Sequence, residues 1–234
     1  YLFKDQIEGS PLELEGTAQL SYLTRSFGSR GIRLDLNPRL SLPLKTDYLT
    51  FIPSIGLRQT FYGTANLGDN ATNLKDLSSV EGRFMPDINM VLTSGFYRVF
   101  DLGEGPNLVP SLEAIGQSEW SRLKHTIKPK IEYDFLPDRG QDHLPDYDEI
   151  DRLLPRNQLT YSIANVLTRR RDEVVLARQN GVDVAELSTE YLDFITLRLE
   201  QTYDFREATR TDSLDQYPRR PFGDIRADLI IRPT

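Results

Sequence analysis

Two histidines, His125 and His143, and a scatter of carboxylates are the groups from which this 234-residue chain would have to assemble a reaction centre. It has no cysteine, which excludes a thiolate nucleophile, a thiolate-held metal and a disulfide framework. Two histidines would need carboxylates brought in by the fold to complete a zinc site, so no metal is expected. Gly103 and Gly105 form a G-x-G, but Pro106-Asn107-Leu108 follows where a dinucleotide fingerprint needs a third glycine and a helix, so the segment reads as a turn. Gly116-Gln117-Ser118 continues as Glu119-Trp120 and does not complete a nucleophile elbow. The densest carboxylates, Asp138, Asp142, Asp146, Asp148, Glu149 and Asp151, lack the spacing of a calcium loop and read as a solvated loop. Arg169, Arg170 and Arg171 read as a solvated strand end, with contact to anionic lipid headgroups as the alternative. No catalytic residue, no cofactor and no enzymatic activity are expected.

The elements that position these groups follow from hydropathy and charge. The net charge of −7 argues against a nucleic-acid partner, whose affinity would rest on phosphate neutralisation by Lys and Arg. No run of 18 apolar residues encodes a membrane-spanning helix. The chain opens at Tyr1 without a signal-peptide pattern and stops at Thr234 within a strand-like run, so it reads as a fragment.

The dominant pattern has period two, which sends successive side chains to opposite faces of a strand. Ile32, Leu34, Leu36, Pro38, Leu40, Leu42 and Leu44 alternate with Arg33, Asp35, Asn37, Arg39 and Ser41. Leu123, His125, Ile127, Pro129, Ile131, Tyr133 and Phe135 alternate with Lys124, Thr126, Lys128, Lys130, Glu132 and Asp134. Less perfect alternation predicts strands over 12–22, 49–61, 84–100, 159–167, 191–205 and 225–231, with a weaker one over 108–115. Residues 28–31, 45–47 and 101–106 read as tight turns, and 63–83, 138–156, 171–189 and 207–221 as long polar loops, the third with a short helix in 172–187.

Alternation alone fits a soluble β-sandwich as well as a membrane barrel, and length favours the barrel. The thirteen residues 123–135 at ~3.4 Å each span roughly 44 Å, or roughly 31 Å if tilted by about 45°, close to the ~30 Å of a bilayer core. Phe61, Tyr62, Phe96, Tyr97, Phe100, Tyr133, Phe135, Tyr203 and Phe205 lie near strand ends, as interfacial girdles require. Barrels alternate short and long connections, and here the alternation breaks after Phe135, so either a strand is missed or one periplasmic connection is long. Pro38, Pro43, Pro53, Pro86, Pro110 and Pro129 fall inside strand-like runs, where each removes a ladder donor and predicts bulges or weakened pairing.

The motifs carry a resemblance. Arg33 to Leu44 and Gly56 to Tyr62 resemble paired barrel strands of the LptD family of lipopolysaccharide-assembly outer-membrane proteins. The segment His125-Thr126-Ile127-Lys128-Pro129-Lys130-Ile131-Glu132-Tyr133-Asp134-Phe135, with Asp138 to Asp142 after it, is similar to the family's Thr-(Leu/Ile)-x-Pro strand with its aromatic finish. Tyr147 to Arg152, Arg156 to Tyr161 and Gln201 to Phe205 continue the likeness in order.

This resemblance implies an all-β fold, an antiparallel transmembrane β-barrel segment in the outer membrane of a Gram-negative cell, with residues 1–234 forming part of one barrel domain. Roughly nine strands are visible, a minority of the family's barrel. The implied function is lipopolysaccharide transport and insertion into the outer leaflet. The implied partners are lipopolysaccharide, a plug lipoprotein of the LptE type, a periplasmic bridge protein of the LptA type and outer-membrane lipid. Under the barrel reading Lys124, Lys128, Lys130, Arg33, Arg39 and Arg58 face the lumen, where they are expected to meet lipid phosphates or the polar surface of the plug. A porin or receptor-type barrel and a soluble β-rich glycan-binding module are the alternatives.

Overall fold

The structure, a computed structural model, describes residues 2–23, 30–65, 79–102, 108–179 and 181–232. The strands are β1 (Leu2–Gln6), β2 (Glu13–Leu23), β3 (Arg30–Ser41), β4 (Leu44–Lys45), β5 (Leu49–Ala65), β6 (Ser79–Ser94), β7 (Phe96–Asp101), β8 (Ser118–Leu136), β9 (Arg156–Gln179), β10 (Val182–Asp204) and β11 (Arg226–Ile231). Among the described residues the one short α-helix, α1, is Phe205–Thr209, capped by the Asp204 side chain on the amides of Arg206 and Glu207. The strands form one sheet in the order β1-β2-β3-β5-β6-β8-β9-β10-β11, with β4 beside β5 and β7 beside β8. Its registered pairs are antiparallel, and among the described residues β1 and β11 end the strand order. The all-β, antiparallel barrel-segment fold is thus what the alternation predicts, with eleven strands where the alternation shows roughly nine.

Two compact units divide the chain. The first comprises Tyr1–Leu92, Ile131–Thr160 and Thr202–Gly223, and the second Thr93–Lys130, Tyr161–Gln201 and Asp224–Thr234. In the first, register sorts the side chains by chemistry. Leu20, Leu34 and Phe61 stand abreast on β2, β3 and β5, as do Leu14, Leu40 and Ile55. On the other face Gln19, Asp35 and Thr60 line up, and beside them Ser21, Arg33 and Tyr62. Gly16 takes part in the apolar face by having no side chain: a Cβ there would lie 2.7 Å from the Phe3 ring, which covers it. In the second unit Ile195, Leu197 and Leu199 of β10 pair with Ile231, Leu229 and Ala227 of β11.

Burial runs opposite to that of a water-soluble domain. Arg33 is 1% exposed, Asp35 3%, and Thr60 and Asp151 0%, whereas Leu20 is 73% exposed, Ile55 64% and Leu229 59%. Exposed apolar residues scattered singly need no explanation, but a whole sheet face of them beside buried charges does.

Several expectations change. The run 84–100 is two strands, β6 and β7, separated at Gly95. Residues 108–115 form no strand; 108–111 carry no regular structure and Leu112–Ala114 is a 3₁₀ turn. The loop at 171–189 and its helix are instead the ends of β9 and β10, whose connection carries Gly181 at φ 84°. Val174 accounts for this: its N–H donates to Gln117 O at 3.0 Å and its carbonyl accepts from Gly116 N at 2.8 Å, so tertiary pairing holds the segment extended. With that hairpin in place, long and short connections alternate again after Phe135.

Of the prolines, Pro38, Pro53, Pro86 and Pro129 lie in strands, while Pro43 and Pro110 lie outside them. At Pro38 the β3–β5 ladder stops after Leu36↔Gln59 and resumes at Arg39↔Gly56 in the same register, so the missing donor opens a gap there rather than a bulge. The expected turn at 28–31, the loop at 63–83 and the turn at 101–106, with Gly103 and Gly105, fall wholly or partly on residues outside those described.

Candidate functional site on the polar face

In the first unit, β3, β5 and β6 carry a line of polar side chains onto which residues 137–155 fold. Arg33 donates from Nη1 and Nη2 to the two oxygens of Asp148 at 2.6 and 2.7 Å, and from Nη1 to Asp151 at 2.8 Å. This is the fork geometry in which arginine binds a carboxylate best. Asp151 is the organising acceptor. Besides Arg33 it takes the Tyr62 hydroxyl at 2.7 Å and the backbone amides of Tyr147 and Asp148 at 2.7 and 3.1 Å. Arg83 donates to the carbonyls of Ile150 and Asp151, to Gln141 Oε1 and to the Thr60 hydroxyl, at 2.7 to 3.1 Å. Gln141 closes the loop on itself through both backbone groups of Leu153.

Next along the face, Arg58 forks onto Asp35, from Nε at 2.9 Å and Nη2 at 2.7 Å, and Thr60 donates to the same carboxylate at 2.7 Å. Arg39 pairs with Asp87, and Asn89 donates to Glu132 and Asp134. The hydrogen bond from Arg33 holds the Asp148 carboxyl below the ordinary carboxylate range. The electrostatics are those of a neutralised, internally bonded wall. The loop read as solvated is therefore only partly so: Asp151 is buried and Asp148 is tied down, whereas Asp142, Asp146 and Glu149 are exposed. Tyr62 belongs to this network and to no interfacial girdle.

In the second unit the polar face forms a groove of about 140 Å³ lined by Val99, Arg122, Lys124, Thr168, Arg170 and Tyr191. Arg122 pairs with Asp101 at 3.0 Å and Arg170 with Asp172 at 2.8 Å. Lys124 is exposed, its Nζ 4.5 Å from the centre of the Tyr97 ring, and among the described residues it makes no ion pair. Lys128 is exposed and Lys130 half-buried with a partner of its own. His125 meets Asn165 at 3.2 Å across β8 and β9 and stands apart from any carboxylate pair.

The six expected cations thus separate. Arg33, Arg39 and Arg58 are each held by a carboxylate of this chain, and Lys124 and Lys128 reach solvent. Tyr62, Arg83, Asp148 and Asp151 are partners that alternation could not single out. For Tyr62 alone the pattern offers a hint, since it shares the β5 face of Arg58 and Thr60.

Comparison with known proteins covers nearly the whole chain. The family model LptD, described as LPS transport system D, matches residues 2–234. The "LPS-assembly protein LptD" of Nitrosococcus oceani is 25% identical over 203 residues, which is 82% of this chain and 24% of that protein. The chain therefore spans about a quarter of the length of the curated relative it matches. A match of this extent, over a sheet with one apolar and one polar face, means that the chain belongs to the LptD family, LPS transport system D.

Proposed function

We propose that residues 1–234 form part of the wall of one outer-membrane β-barrel domain that carries lipopolysaccharide through the envelope of a Gram-negative cell and inserts it into the outer leaflet, performing no covalent chemistry. The observation that carries this reading is the inverted burial: an exposed apolar sheet face backing a face of buried, paired charges. Lipid satisfies the first, and only strands closed into a barrel keep their backbone groups bonded within it. Lipopolysaccharide joins acyl chains to an anionic sugar-phosphate end, so a polar lumen with cations suits it.

Within that lumen Arg33, Arg39 and Arg58 hold the wall and the folded loop, and the exposed Lys124 and Lys128, with the half-buried Lys130 that also has a partner in this chain, face lipid phosphates or a plug lipoprotein of the LptE type. A periplasmic bridge protein of the LptA type would supply the lipid. In the full-length protein, a cysteine at Leu20 is expected to react with a lipid-phase probe and one at Gln19 only with an aqueous reagent; equal aqueous labelling of both refutes the barrel. Replacing Lys124, Lys128 and Lys130 together with Gln is expected to reduce lipopolysaccharide crosslinking or plug retention, and unchanged values for both refute the lysine assignment.

A further inference from the structure

Arg169 occupies a position that the polar network does not explain. Its guanidinium carbon lies 4.0 Å from the Trp120 ring centre and 4.9 Å from that of Phe194. Its Nε is buried without a hydrogen-bond partner, and among the described residues the side chain makes no ion pair. Its neighbour Arg170 behaves as an arginine does where a carboxylate is within reach, bonding Asp172 at 2.8 Å.

The two arginines differ by face. On β9 Arg170 lines the polar groove and bonds Asp172, so Arg169, one residue removed, faces the apolar side, and Trp120, on which it stacks, lies there with it. That side carries His125 and Asn165 and, along β9, Leu159, Tyr161, Ile163 and Leu167. Arg169 follows Leu159 by ten residues, close to the ~9–11 with which a tilted strand crosses a bilayer core. A cation there has neither a carboxylate nor lumen water. Stacked between two rings, it keeps the N–H edge of its fork for a planar-binding anion, and tryptophan favours the headgroup level.

We propose that Arg169, held between Trp120 and Phe194, binds the phosphate of an anionic phospholipid headgroup where β9 leaves the membrane. This rests on the barrel reading. The test uses the full-length protein carrying this segment, in nanodiscs of phosphatidylcholine with a minor fraction of phosphatidylglycerol, and measures phosphatidylglycerol retained by native mass spectrometry. Arg169→Gln is expected to lower retention about tenfold, the scale of one charge-assisted bond pair. Trp120→Leu, which removes the platform and keeps the charge, is expected to lower it about threefold and serves if the first variant does not assemble. Retention equal to that of the unmodified protein in an assembled variant overturns the proposal. Displacement of the lipid by millimolar inorganic phosphate would point to free phosphate as the ligand and overturn it too. A cysteine at Leu197 separates the two failures. If it labels from the lipid phase while the variants retain lipid, the proposal alone falls; if it labels only from water, the barrel reading falls and takes the proposal with it.

Discussion

The arginines of β3 and β5 and the cations of β7 to β9 come from the same alternating pattern, yet they meet opposite surroundings. In the first unit Arg33, Arg39 and Arg58 each have a carboxylate on another strand or on the folded-back loop, and the result is a largely buried network of paired charges. In the second, Arg122 and Arg170 have one, while Lys124 rests on Tyr97 and Arg169 on Trp120 and Phe194. A buried cation paired inside the chain is committed to the fold, because separating it from its partner leaves a charge without solvation. A cation supported by a ring keeps its hydrogen-bond donors for something else. Charge of the same sign on the same kind of strand is therefore paired within the fold in one region and, at Lys124 and Arg169, set against aromatic rings in the other.

That contrast is most exposed at Asp151. Asp151→Ala removes the acceptor shared by Arg33, Tyr62 and two loop amides and is expected to destabilise the first unit by about 3–5 kcal/mol. Denaturant unfolding measures the loss, and limited proteolysis should then cut within 137–155; a loop still resistant would mean that the network does not hold it. Tyr62→Phe deletes one bond to the same carboxylate and is expected to cost about 1 kcal/mol in the same unfolding assay.

Acid should loosen the loop in a defined direction. Arg33 holds folded Asp148 below the unfolded value of about 3.9, so the pairing stabilises fully above that value and is lost as pH falls through the lower folded one. Asp148 is exposed, so screening keeps the effect below about 1 kcal/mol. The thermal midpoint of Asp148→Asn should therefore lie below that of the unmodified protein at neutral pH and converge with it in strong acid. The smallest effect belongs to the other region: joint replacement of Lys124, Lys128 and Lys130 by Gln should change unfolding stability by no more than about 0.5 kcal/mol in total. A large loss there would erase the distinction between the two regions.

Much of the wall was legible in advance, and the residues show why. Alternation from Ile32 to Ser41 and from Leu123 to Phe135 survives as β3 and β8 because period two leaves no other way to segregate those side chains. The ends of β9 and β10 were hidden because Arg169 to Glu173 is charged on both faces, so hydropathy carries no period there. The sequence signal there is the Asn-Gly dipeptide at 180–181, a pair favoured in hairpin turns. The site was less legible. Arg33 and Asp151 are 118 positions apart, and no local pattern pairs them.

The sequence by itself determined the two-faced strands, their antiparallel succession and the exclusion of thiol and helix-spanning chemistry, since these depend on side-chain type and on a spacing of two. Which cations are neutralised and which remain available was decided only by the tertiary structure. That choice turns on whether a carboxylate from a remote segment comes within about 3 Å, a distance at which charge pairing outweighs the cost of taking both groups out of water only when the fork geometry is right. Asp148 and Asp151 reach Arg33 in that way because residues 137–155 fold back onto the polar face.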